Sequence, residues 1–144
     1  MWGTLIGGLL TIGLSVAAVP PVWAHAAIAV GGSMNEVAKK GIAVGFAYNY
    51  ETQDAADADA LQKCKNEPNA PAETKAKCEL VGDYSHKWLA IALDPEAGTP
   101  GFGWSIATDQ TSAEHRALDQ CKATSPDDRK PYCKVTNVRH DEKP

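Results

Sequence analysis

One pattern occurs twice along the chain. Gly45-Phe46-Ala47-Tyr48-Asn49-Tyr50 leads into a helical stretch ending Leu61-Gln62-Lys63-Cys64, and Gly101-Phe102-Gly103-Trp104-Ser105-Ile106 leads into one ending Leu118-Asp119-Gln120-Cys121. A further cysteine follows each time, Cys78 and then Cys133. Such self-similarity constrains architecture before any single residue is interpreted, because each copy must build the same supersecondary unit and bury the same apolar face.

The periodicities say what that unit is. Ala27-Ile28-Ala29-Val30 matches Ala90-Ile91-Ala92-Leu93, two short β-compatible runs with large residues at alternate positions. In the run that follows, Phe46, Tyr48 and Tyr50 share one strand face, as do Phe102, Trp104 and Ile106. The opposite faces carry only small or short side chains, which suits close approach of a backbone or helix. Next come the stripes Ala56, Ala60, Leu61, Cys64 and Ala113, Ala117, Leu118, Cys121, with identical offsets of 0, 4, 5 and 8 that lie on one helix face. Asp54 is expected to cap the first helix, and Thr111-Ser112-Ala113-Glu114 reads as a capping box for the second. These narrow, alanine-rich stripes predict helices that lie close on a sheet and are not stable alone. Polar, proline-bearing loops (Lys65 to Lys77 and Lys122 to Tyr132) separate each helix from a third strand at Cys78-Glu79-Leu80-Val81 or Cys133 to Val138. The copies differ mainly between their first two strands, where Gly31 to Val44 is long and Asp94 to Pro100 is short. The expected fold is α+β: two strand-strand-helix-strand repeats, residues 27–84 and 88–139, forming one mainly antiparallel sheet with two helices packed on it, stapled by disulfides.

Compartment follows from the start of the chain and the cysteines. Leu5 to Val19 is apolar, no charged side chain occurs in the first two dozen residues, and Pro20-Pro21 closes the run. That is the pattern of a signal-peptide h-region, with cleavage expected after Ala24 or Ala26. Residues 1–26 are therefore read as a signal peptide and 27–144 as a single domain. The first residues lack Lys and Arg, so a retained anchor is the alternative, but the run is shorter than the ~20 residues a span needs. Four cysteines in an exported chain imply two disulfides involving Cys64, Cys78, Cys121 and Cys133. Pairing within each copy is the simplest arrangement, and the symmetric cross-pairing of Cys64 with Cys121 and Cys78 with Cys133 is the other. A net charge of -4 without a Lys/Arg cluster argues against nucleic acid, and against a membrane surface once the leader is removed.

Reactive constellations are hard to find. No CxxC, HxxxH or HExxH occurs, so no metal ligands are assigned. Ser85 and His86, with Asp83 nearby, form the densest polar cluster, but neighbours in a turn rarely meet in triad geometry. His25 sits at the cleavage region, His115 on a polar helix side and His140 in a charged tail; Asp54, Asp57, Asp59 and Asp127-Asp128 read as caps and solvated charge. No catalytic or cofactor-binding residue is assigned. Recognition remains. Tyr48, Tyr50, Trp88, Phe102 and Trp104 are expected in the core, with an exposed aromatic patch as the sharper alternative. The two inter-cysteine loops are pinned at both ends, which lowers the ordering cost of binding.

In the order and doubling of these motifs the chain resembles domain of unknown function 4189, a family of exported bacterial proteins. The resemblance implies export and a compact α+β domain, and it carries no catalytic residues across. Relatives have a further cysteine pair near the ends of the third strands, where this chain holds Tyr84 to His86 and Arg139 to His140. The expected function is a periplasmic or secreted, non-catalytic domain that binds an envelope or extracellular protein. An inhibitor or immunity protein against a toxin or envelope hydrolase is one alternative, and a hydrolase using Ser85 and His86 another.

Overall fold

A strand without a polar position needs cover on both faces. Beyond His25, β1 (His25–Gly31) is such a strand: Ala27 and Ala29 turn one way, Ala26, Ile28 and Val30 the other, and all five are buried. The computed structural model describes residues 24–33, 36–96 and 98–142. After β1 come a four-residue helix α1 (Val37–Lys40), β2 (Ala43–Tyr50), α2 (Gln53–Lys65), the short α3 (Ala72–Lys75) and β3 (Glu79–Tyr84). The second half holds β4 (Trp88–Leu93), β5 (Phe102–Ala107), α4 (Gln110–Thr124), a 3-10 turn over Lys130–Tyr132 and β6 (Lys134–His140).

The six strands among the described residues make two sheets, not the single sheet expected. Each is three-stranded and antiparallel, in the orders β2-β1-β3 and β5-β4-β6. The physical reason lies in the large residues of β1 and β4. Ile28, Val30, Leu89 and Ile91 point away from the helices, and one sheet with helices on one side would leave them in water. Facing the sheets buries them together with Ala26, Tyr84 and Phe102 in a shared core. The alanine faces take the helices: α2 packs on Ala27, Ala29, Ala43 and Ala47, and α4 on Ala90, Ala92 and Ala107. The result is four layers, helix–sheet–sheet–helix.

The helices lie close because glycine lets them. A Cβ added at Gly45 would collide with Ala60 O and Cys64 N of α2, and one at Gly103 with Ala117 O and Cys121 N of α4. These glycines, not Gly45 and Gly101, hold matching places. Ile28 pairs with Phe46 and Ile91 with Trp104, so Phe46 holds the register position of Trp104 and not of Phe102, and the expected match of the second strands is two residues out of step. The expected small-residue face survives because a two-residue shift preserves strand faces.

Both caps sit earlier than expected. Thr52 Oγ1 accepts from Ala55 N–H at 3.2 Å, leaving Asp54 in the first turn. Asp109 Oδ1 accepts from Ser112 N–H at 2.8 Å, and Glu114 instead accepts from Gln110. The disulfides are Cys64–Cys78 and Cys121–Cys133, each within one half, and this sets the cross-pairing aside. Among the described residues no helix is long and apolar enough to cross a membrane. The expected leader falls outside the described residues up to position 23. Its last three positions do not: Ala24 is buried, His25 opens β1, and Ala26 pairs with Tyr84 while its carbonyl accepts from Gln53 Nε2.

Candidate functional site

Ser85 and His86 do not assemble a triad. Ser85 Oγ lies 2.9 Å from His86 Nδ1, but both residues are exposed. A buried carboxylate is present nearby, yet it serves the backbone: Asp141 Oδ1 accepts from Asn49 N–H at 2.7 Å and Oδ2 from His86 N–H at 3.4 Å. The imidazole is therefore held by its own neighbour and is not oriented by the acid, which is the reverse of what a general base needs. Asn49 and His86 have φ of 62° and 52°, the two positive values outside glycine among the described residues, and one carboxylate holds both. Beside it the Tyr84 hydroxyl is buried without a hydrogen-bond partner among the described residues, and burial pushes its pKa upward, with Asp141 adding to the shift.

The other acids and histidines are dispersed. Among the described residues no three His, Cys, Asp or Glu side chains come together as a metal would need. His115 is exposed on α4. His140 is not in a loose tail: it lies in β6, stacked on Trp88 with ring centroids 4.4 Å apart, and its Nδ1 lies 2.9 Å from Glu142. Asp127 is surface charge as expected, paired to Lys130 at 2.6 Å. Arg129 is not. Its Nε and Nη2 grip Asp94 at 2.8 and 2.7 Å, its Nη1 meets Glu96 at 2.5 Å, and its guanidinium lies 4.2 Å from the Tyr132 ring. The second inter-cysteine loop is thereby clamped to the β4–β5 connection.

That clamp has a pH signature. The hydrogen bonds from Arg129 hold the Asp94 carboxyl below its ordinary range; burial opposes this and the Glu96 N–H supports it. A native pKa below the unfolded one stabilises the fold fully above the unfolded Asp value of about 3.9, and the benefit disappears as pH falls through the native value. Melts from neutral pH into the acid range should therefore show a shallower acid loss for Asp94→Asn than for wild type. Equal slopes would remove the pair from the acid response.

The segments that differ between the halves converge at one end of the sandwich. Thr74, in the first inter-cysteine loop, donates from Oγ1 to Lys40 O at 2.6 Å and so joins that loop to the 31–44 insertion. Val37 and Ile42 of the insertion, Asn69 of that loop and Asp94, Pro95, Glu96, Gly98 and Thr99 of the β4–β5 connection surround a cleft of about 450 Å³. A second hollow of about 220 Å³ shares Ile42, Leu93 and Phe102 with it and continues along the inner face of β2 to Val44 and Phe46. Together they form one mainly apolar groove, whose inner part lies between β2 and Asn137 of β6, at the facing edges of the two sheets, and whose mouth opens among the connecting segments. Its size is that of a small-ligand or side-chain pocket.

The groove has a cause in the packing. On the far side, where β3 faces β5, a Cβ at Gly82 would touch Trp104 and Ile106, so those large side chains fill the space. On the near side Phe46 stands at the register of Trp104, and Asn137 at that of Gly82, since Ile28 pairs with Phe46 and Gly82, and Ile91 with Trp104 and Asn137. A smaller aromatic against a polar side chain leaves the seam open. Of the aromatics expected in the core, Phe102 is fully buried, Trp88, Trp104 and Tyr50 are half-buried, and Tyr48 is 37% exposed beside Arg139.

Strand edges offer less. In β5 the N–H groups of Phe102 and Trp104 donate to Thr124 and Gln120 of α4, and Phe46 O in β2 accepts from Lys63. β3 and β6 each carry a register break opposite the centre of the sheet. Edges capped or bulged in this way are poor templates for an added strand.

No curated protein and no solved structure matches the chain. The family model described as Domain of unknown function (DUF4189) matches residues 25–138. The match starts at the first residue of β1 and ends within β6, so it takes in both sheets, both disulfides and the groove between them. The chain is a member of the DUF4189 family.

Proposed function

We propose that this chain is an exported, disulfide-stapled, non-catalytic domain that binds an envelope or extracellular protein through the β2–β6 groove. The observation that carries the reading is the groove itself, an apolar seam left open where the two halves differ. The two disulfides support an oxidising compartment, which on this reading is the periplasm or the extracellular space. On this reading the halves, 27–84 and 88–139, are two copies of one unit related by a pseudo-twofold axis between the sheets, which sets β2 opposite β6 and β3 opposite β5. An inhibitor or immunity role is the case in which the partner is a toxin or hydrolase.

Leader cleavage belongs to the same reading. Cutting after Ala26 would remove two of the seven residues of β1, whereas cutting after Ala24 leaves the strand whole. Intact mass of the exported protein should place His25 at its N-terminus, and a start at Ala27 would contradict this.

The groove can be closed with the solution used on the other side. Phe46→Trp with Asn137→Gly copies the Trp104–Gly82 contact and should leave the thermal midpoint within a few degrees of wild type, since volume-conserving repacking is tolerated. A partner retained from envelope extract by wild type should be lost by this variant and kept by His115→Ala, which alters the exposed face of α4. Equal capture by all three proteins would move the binding surface elsewhere.

A further inference from the structure

The charges around the groove suggest what kind of surface it accepts. Among the described residues its lining carries three carboxylates, Glu67, Asp94 and Glu96, and no lysine or arginine. Two of the three are engaged, because Arg129 reaches over from outside the lining to pair with Asp94 and Glu96. Glu67 is different. It is half-buried at the margin of the Ile42, Val44 and Phe46 floor, and it makes no ion pair or side-chain hydrogen bond with the described residues. Asn137, facing it across the seam, has an amide that makes no hydrogen bond with the described residues either. A half-buried carboxylate at the margin of an apolar floor is placed to pair with an incoming cation. Arg139 does not supply one: it caps the other end of β2, 5.8 Å from the ring centres of Phe46 and Tyr48, and its Nη1 is held by Val138 O at 2.7 Å.

We propose that the groove receives a cationic–apolar segment of a partner protein, with an aromatic or aliphatic side chain seated between Phe46 and Phe102 and a neighbouring Lys or Arg over Glu67. This rests on the groove being the binding surface. The apolar side chain supplies most of the affinity by leaving water. The Glu67 contact supplies selection and salt dependence, since a partly exposed pair is screened by ions. Asn137 adds a donor and an acceptor for the backbone of the docked segment. The groove is too short for a long peptide, so one anchor side chain and its neighbours set the recognition.

The test uses two blocked tripeptides, acetyl-Lys-Phe-Lys-amide and acetyl-Glu-Phe-Glu-amide, titrated into the labelled mature protein and read by two-dimensional NMR. The lysine peptide should shift the methyl signals of Ile42, Val44 and Leu93 saturably and bind about fivefold tighter than the glutamate peptide, as one partly screened ion pair allows. Glu67→Gln should erase that ratio while its spectrum remains folded, and Phe46→Trp with Asn137→Gly should bind neither peptide. Equal affinities for the two peptides would overturn the charge selection and leave the groove as the binding surface. Absence of a saturable shift from either peptide overturns the proposed segment. Capture of the partner by the filled-groove variant then decides whether the groove reading falls with it.

Discussion

Replacing all four cysteines with alanine should leave this domain unfolded or only marginally folded at 25 °C. Each disulfide closes a short loop, with sequence separations of 14 and 12 residues, and loops of that size contribute about 3 kcal/mol each in the chain-entropy account. Together that is about 6 kcal/mol against a typical total of roughly 5–15 kcal/mol. The rest of the fold has little to offset the loss. Apart from Cys64 and Cys121, the fully buried positions of α2 and α4 are Ala56, Ala60, Ala113 and Ala117, and an alanine methyl removes little apolar surface from water. Far-UV circular dichroism with urea titration measures the effect. A four-alanine variant retaining more than half of the wild-type stability would show that the sandwich core suffices without staples.

The two bridges should also differ in how readily they open. Cys78 is half-buried, whereas Cys133 is 7% exposed and its Sγ lies 3.4 Å from Ser125 Oγ in the layer beneath α4. Attack by an external thiolate requires access to sulfur. Graded reduction followed by alkylation and peptide mapping should label Cys64 and Cys78 before Cys121 and Cys133. Loss of both bridges together would mean that the first opening unfolds the whole domain.

Much of this fold is legible in the sequence, and the failures have physical causes. The helical stripes ending in Cys64 and Cys121 appear in the structure residue for residue, because a 3.6-residue period with cysteine at its end leaves few alternatives. The second strands were matched two residues out of step, Gly45 to Gly101 in place of Gly45 to Gly103. A strand repeats every two residues, so the error costs nothing in face assignment and shows only when the register is seen. The single-sheet expectation neglected a signal that was present: Ala27-Ile28-Ala29-Val30 has no polar face, which already calls for cover on both sides. The groove is not readable, because it depends on Phe46 and Asn137 lying across one seam from strands far apart in sequence. The role of Arg129 has no local sign in the sequence, because its partner, Asp94, is 35 residues away. Long-range polar pairs leave no local pattern.

Asp141→Ala should be the most damaging single substitution of a charged residue among those described, at about 3 kcal/mol. The residue is fully buried and belongs to no ion pair with the described residues, yet its carboxylate accepts N–H groups from Asn49 and His86. Hydrogen bonds to a charged acceptor contribute about 1.5–3 kcal/mol each, and the 3.4 Å contact to His86 belongs at the weak end. Both donors sit in left-handed backbone conformations that a side chain with a Cβ disfavours by roughly 1–2 kcal/mol. Asp141 therefore holds left-handed backbone at the end of β2 and at the β3–β4 turn, one point in the first half and one in the connection between the halves. The opposing term is the cost of burying a carboxylate without a cation, which its removal would recover. The 2.7 Å bond to Asn49 decides the balance, because its loss leaves that N–H without its acceptor in a left-handed backbone conformation. Asp141→Asn should fall between alanine and wild type, since one amide oxygen can still accept while the NH2 group faces a donor. Urea denaturation reads the stability, and hydrogen exchange at the Asn49 amide reads the bond itself. An alanine variant within about 0.5 kcal/mol of wild type, as a neutral surface change would be, would mean that burying the charge costs as much as its hydrogen bonds return.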